Sequence, residues 1–216
     1  MPEFKLVVSD PRVKQQKVIP VKVVGLEDLE YSDKHKEQRE LPKVRVHSGL
    51  LKLLDPGLGV VVIRIWKNRA NREKVNLVAI AEEGNVPDIQ TVGVPIGFMR
   101  EKLGATEALG EIFTASSFQI VVGGDIAARL IGLKIGDRID GRIIGLKGVM
   151  LEIRGGSDLA GFPMRVDISG SVKKYILLSK GPGFRPKEEG ERRRKLVRGN
   201  TISDDIVQIN AVVIPT

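Results

Sequence analysis

The sequence predicts a mainly β protein with a few short helices, on three observations. Short runs alternate apolar and polar side chains or are rich in β-branched residues, as at residues 18–24, 59–66 and 205–214. Turn chemistry punctuates the chain between such runs, for example at Ser9-Asp10-Pro11 and Gly136-Asp137. Helix start and stop signals, by contrast, are readable only twice.

Taken in order, residues 4–8 form a first strand that ends at the Ser9-Asp10-Pro11 turn. Residues 18–24 form the next, and Pro20, which cannot donate to a ladder, assigns it an edge position. Residues 26–39 mix both charge signs and read as a loop or an exposed helix. Residues 59–66 and 74–81 flank a polar turn at 67–72 and predict a hairpin. One short helix starts at Pro95, a residue favoured at a first helical position, and stops at Gly104. A second runs from Asp125 as N-cap to Gly132. Strands follow at 138–144, 149–154, 172–178 and 205–214; in the last, alternation assigns Val207, Ile209, Ala211 and Val213 to the core. A helix–glycine–turn phrase recurs at 99–111 and 127–137; it reads as chance or generic turn chemistry, with internal duplication as the alternative.

Hydrophobic residues make up 42% and charged residues 29% of the 216, ordinary values for a globular protein. No apolar run approaches the ~20 residues of a membrane helix. The N-terminus lacks a basic region followed by an apolar stretch, so no secretory signal is expected. With no cysteine, disulfides, thiol nucleophiles, iron–sulfur clusters and zinc knuckles are excluded. The net charge of +8 is concentrated: residues 142–200 hold 14 cationic and 6 acidic side chains, while the rest of the chain holds 21 of each sign. Such clustering is the electrostatic footprint of a polyanion-binding face, and no basic amphipathic helix accompanies it to suggest a membrane surface.

The strongest single signal is the segment 183–200. Between Arg185 and Arg198 it carries seven cations and three anions, with few apolar side chains to anchor it, so it is expected to project as an arm or loop. Four consecutive cations, Arg192 to Lys195, repel one another and call for an anionic partner. Guanidinium forks grip phosphate oxygens in pairs and stack on exposed bases. The glycine-rich segment 154–165 reads as an ordered turn; it lacks the Gly-Lys-Ser/Thr ending of a phosphate loop. The turn Lys180-Gly181-Pro182-Gly183-Phe184 leads into the basic arm. His35 and His47 have no carboxylate at metal-ligand spacing and read as surface residues. Adjacent Asp204 and Asp205 point to opposite faces of a strand. A lone Trp66 is assigned to packing, although its basic neighbours would suit stacking on a base. No catalytic constellation, cofactor site or metal site is found, and the chain is expected not to be an enzyme.

The residues Arg154-Gly-Gly-Ser-Asp, Gly161-Phe-Pro-Met-Arg165, Leu177-Leu-Ser, Gly183-Phe-Arg-Pro, Gly190-Glu-Arg-Arg-Arg-Lys195 and Arg198-Gly-Asn-Thr-Ile-Ser-Asp-Asp-Ile-Val resemble one family closely. It is the archaeal and eukaryotic small-subunit ribosomal protein S-six, e-type. Phe4 to Pro11 resembles that family's first strand, and the stretch from Ser117 to Asp137 its next strand and helix. Residues 1–14 and 117–216 resemble the compact archaeal form, whereas 15–116 has no counterpart there and looks like the inserted domain of a long archaeal variant. The chain ends at Thr216 without the long basic helix and phosphorylated serines of eukaryotic relatives, so kinase regulation is not carried over.

The resemblance implies a structural, non-catalytic constituent of the small subunit in the cytoplasm that binds rRNA and adjoins other ribosomal proteins. It implies no membrane, cofactor or small-molecule substrate. The RNA-binding residues it carries over are Arg154, Arg165, Lys180, Arg185, Lys187, Arg192, Arg193, Arg194, Lys195 and Arg198. The expected architecture is a small barrel-like β core, closed by the first strand and the C-terminal half, plus a β-rich inserted second domain. A free RNA chaperone and an RNA-directed enzyme are the rival readings.

Overall fold

The computed structural model of the chain describes residues 2–13, 17–68, 71–84, 86–146 and 148–214. Strands dominate, helices are short, and six strands close into a barrel. The chain divides into two compact units, Met1–Ser9 with Gln119–Thr216, and Asp10–Phe118.

The barrel belongs to the second of these units. Its elements are β2 (Ile19–Leu26), α1 (Asp33–Lys36), β3 (Lys43–Val46), α2 (Ser48–Leu54), β4 (Val60–Asn68), β5 (Glu73–Glu83), β6 (Thr91–Pro95), α3 (Ile96–Leu103) and β7 (Glu107–Thr114), and the ring runs β2-β6-β3-β5-β4-β7. Alternation sends Val21, Val23, Val44, Val46, Ile63, Ile65 and Ile112 inward, where Leu50 from α2 and Phe98 from α3 join them. Exchanging β2, β3 and β4 with β5, β6 and β7 leaves the pairing pattern unchanged. β2·β6 and β3·β5 are parallel, β2·β7 and β4·β5 antiparallel, and β3·β6 and β4·β7 map onto themselves. The barrel is therefore two ββαβ halves, each ending its helix on a left-handed residue, Asp55 or Gly104. This repeat is a different one from the 99–111 and 127–137 phrase.

Several sequence expectations change here. Pro20 does not mark an edge, since β2 has neighbours on both sides; pairing to β6 starts only at Lys22, so the missing N–H costs nothing. Pro95 is the N-cap of α3 rather than its first residue. Of residues 26–39, Leu26 ends β2 and the rest form a loop with a single helical turn, α1, that buries nothing. The hairpin of 59–66 and 74–81 appears as β4 and β5, with part of its turn outside the described residues. Trp66 is only half-buried, on the outside of the barrel. His35 accepts from the Ser32 N–H, and His47 caps α2 by accepting from the Gly49 N–H at 3.1 Å.

The first strand and the C-terminal half build an open sheet rather than the closed ring expected of them. β1 (Phe4–Ser9) lies parallel to β13 (Ile206–Ile214), in the order β8-β1-β13-β10-β9, with β8 (Ser117–Val122), β9 (Arg138–Asp140) and β10 (Met150–Asp158). α4 (Gly124–Leu130) follows β8; Gly123 is its N-cap and Asp125 lies in its first turn. The expected strand 138–144 stops at Asp140, whose carboxylate accepts from the Arg142 N–H and starts a 3₁₀ turn, Gly141–Ile144. In β13, Ile209, Ala211 and Val213 are buried as expected, but Ile206 replaces Val207. The ladder skips Val207, because Asp158 pairs with Ile206 and Ser157 with Gln208; one extra residue flips the face.

Candidate nucleic-acid interface

The basic segment is a β-hairpin. β11 (Lys173–Leu178) pairs antiparallel with β12 (Arg193–Arg198), Lys173 opposite Arg198 and Leu178 opposite Arg193. The expected free arm over 183–200 is thus corrected: its C-terminal third is strand, and only the connection between β11 and β12 is loop. Few apolar residues mark β12, yet backbone pairing does not require them. Leu178, Val197 and Phe184, with Ile168 and Ile176, form a small core on one face of the hairpin. Gly181 takes φ +107 and Gly183 φ +93, conformations open to glycine, and the Phe184 N–H donates to the Gly181 carbonyl at 3.0 Å. This turn buries Phe184 and directs Arg185 outward.

The ten expected contacts separate into two groups. Four are engaged within the protein. Arg154 sits at a bulge in β10 and meets Glu152 at 2.7 Å. Arg165 forks onto Asp167, with Nε and Nη2 each at 2.8 Å from a carboxylate oxygen, and donates to the Pro182 carbonyl at 3.1 Å. That hydrogen-bonded pairing raises the Arg165 pKa and holds Asp167 below the ordinary carboxylate range. Arg193 meets Glu191 at 2.7 Å. Arg198 is 4% exposed and donates to Ser203 Oγ at 2.6 Å and Asp205 at 3.2 Å, while its Nε–H has no partner. It is therefore buried, unlike the exposed cations expected beside it.

The other six, Lys180, Arg185, Lys187, Arg192, Arg194 and Lys195, have no ion-pair partner among the described residues. All but the half-buried Lys195 are exposed. Glu191 shapes their loop by accepting from the Lys187 N–H at 2.7 Å, and that bond, with Arg193 nearby, lowers its pKa.

Beneath the hairpin lies an ionic anchor that the sequence reading missed. Asp158, 4% exposed, accepts from the Phe162 N–H at 2.8 Å and lies 3.0 Å from Lys173 Nζ, an ion pair outside aligned hydrogen-bond geometry. Burial pushes its pKa up, but Lys173, the Phe162 N–H and the field of Arg198 together outweigh this and lower it. Lys174 and Tyr175, also unassigned from sequence, stand exposed on β11; the pair Lys173-Lys174 was the available signal.

The family model described as ribosomal protein S6e matches residues 108–216, which contain the whole hairpin. The chain belongs to this family. It is similar to the small ribosomal subunit protein eS6 of Hyperthermus butylicus, 50% identical over 99% of this chain and 98% of that one. It is also similar to the eS6 proteins of Staphylothermus marinus, 46% identical over 99% of both chains, and Aeropyrum pernix, 38% identical over 98% and 95%. These alignments span the barrel as well as the sheet, so such archaeal relatives carry residues 15–116 too. The family is one of structural ribosomal proteins in translation, not of enzymes.

Proposed function

We propose that this chain is a structural constituent of the small ribosomal subunit in the cytoplasm, and that its β11–β12 hairpin holds folded rRNA. Family membership supports the first part. The second rests on one observation: six cations with no ion-pair partner among the described residues converge on one hairpin and its loop, where like charges repel unless phosphates neutralise them. Neutralising them releases counterions, and the paired core beneath gives the hairpin a fixed orientation. The charge-balanced segment 15–116 gains little from phosphate, and we assign it to contacts with neighbouring ribosomal proteins.

If about five phosphates are neutralised, log Kd for small-subunit rRNA should vary with log salt at a slope of about 3 to 5 in magnitude. Reversing Arg192, Arg193 and Arg194 to Glu should abolish that binding and leave the chain folded by circular dichroism. Unchanged binding at moderate salt removes the hairpin from the mechanism. Normal subunit incorporation after deletion of residues 17–116 would show that the barrel is dispensable for assembly.

A further inference from the structure

Only one of the nine aromatic rings in the chain is exposed, and it lies in the most basic segment. Tyr175 on β11 is 57% exposed, and the Arg194 guanidinium stands over its ring at 5.2 Å from the centroid. Leu177, 64% exposed, follows two residues along, on the same strand face as Tyr175. Across the ladder Tyr175 faces Leu196 and Leu177 faces Arg194. The result is a small open platform of one ring, one guanidinium plane and two leucines. The opposite face of the hairpin carries Leu178 and Val197 in its core, so Tyr175 is not needed to close it.

An exposed tyrosine with a leucine beside it gains nothing from water. The surroundings decide what covers it: residues 173–198 hold ten cations and three acids, which an apolar protein surface would have to desolvate. A nucleotide satisfies both demands, since its base offers a flat apolar face and its phosphate an anion. Bases within a duplex are already stacked on one another, so only an unpaired base presents a free face to a side chain.

We infer that the Tyr175–Arg194 face stacks on an unpaired base of the RNA, while Lys180, Arg185, Lys187, Arg192 and Lys195 take phosphates. This rests on the rRNA reading above and adds a substrate class to it: single-stranded or bulged RNA rather than uninterrupted duplex.

The test compares the full chain with Tyr175→Ala and Tyr175→Phe by fluorescence anisotropy. The probes are a labelled single-stranded oligoadenylate and a labelled RNA duplex at the same salt. Tyr175→Ala should weaken the single strand about tenfold and change duplex affinity by less than about twofold. Tyr175→Phe should bind both probes as the parent chain does, and the salt slope should be the same in all three. An alanine effect that is absent, or equal on the two probes, overturns the platform, and so does a phenylalanine variant as weak as alanine. Failure of the unaltered chain to bind either RNA would instead sink the rRNA reading itself, so the two failures are distinguishable.

Discussion

Replacing Arg198 by Met separates a cation that builds the interface from one that touches RNA. Met keeps most of the apolar stem of Arg198, whose side chain is only 5% exposed, so little cavity forms. The charged hydrogen bond to Ser203 Oγ is lost, at roughly 2 kcal/mol. The bond to Asp205 adds about 0.5 kcal/mol at most, because that carboxylate is 72% exposed and screened. Asp158 also loses the field of Arg198, the smallest of the influences that lower its pKa. Against these stands the relief of an unpartnered buried Nε–H, about 1–2 kcal/mol. The net loss is about 1 kcal/mol, a fall of roughly 6 °C in midpoint for a unit of about 100 residues. Calorimetry measures that fall, and rRNA titration at several salt concentrations should give an unaltered slope, since no phosphate contact is removed. A variant with the parental midpoint but a slope smaller by about one would refute the reasoning, because Arg198 would then be a phosphate ligand.

Three further outcomes follow from the packing. Asp158→Asn tests the anchor through pH. The folded-state pKa of Asp158 lies below its ordinary value, so its contribution is full above about pH 4 and fades as pH falls through the lowered value. The stability gap between parent and variant in urea melts should therefore shrink on acidification, and a constant gap would remove ionisation from the anchor. Gly199→Ala should cost about 3 kcal/mol or more, since its Cβ would stand 1.9 Å from the Gly170 carbonyl oxygen, backbone that cannot step aside. Soluble expression with the parental melting curve would contradict that. Leu50→Ala should destabilise the barrel by about 3 kcal/mol, seen as an earlier urea midpoint, and leave rRNA affinity unchanged.

Much of the fold was legible because alternation and turn chemistry act locally. The first strand, the β4–β5 hairpin, α3 with its Gly104 cap and most of β13 follow from short windows of sequence. What escaped depends on distant partners. Val207 leaves the core because β10 supplies one residue too few opposite it, which no window around Val207 reveals. β3, β6 and β7 are held by barrel neighbours remote in sequence, and β12 reads as a solvated loop until β11 is laid beside it. The barrel's twofold pattern is likewise carried by pairing, not by repeated residues.

The division among the cations, in contrast, has a local signature that composition hides. Arg12 pairs with Asp10, Arg39 with Glu37, Arg142 with Asp140, Arg154 with Glu152, Arg165 with Asp167 and Arg193 with Glu191. In each case the acid stands two residues away. In extended chain that spacing puts both groups on one side, within reach of a guanidinium fork. Arg185, Arg192 and Arg194 have no acid at that spacing, and they are the arginines of the hairpin region that stay exposed without an ion pair. Arg198 also lacks one, but folding brings Ser203 and Asp205 to it instead. A count of positive charges over 142–200 therefore overstates the contact surface. An arginine whose neighbour at two residues is acidic serves first to fix its own strand or turn, and phosphate is left to the arginines that have no such neighbour and are not buried.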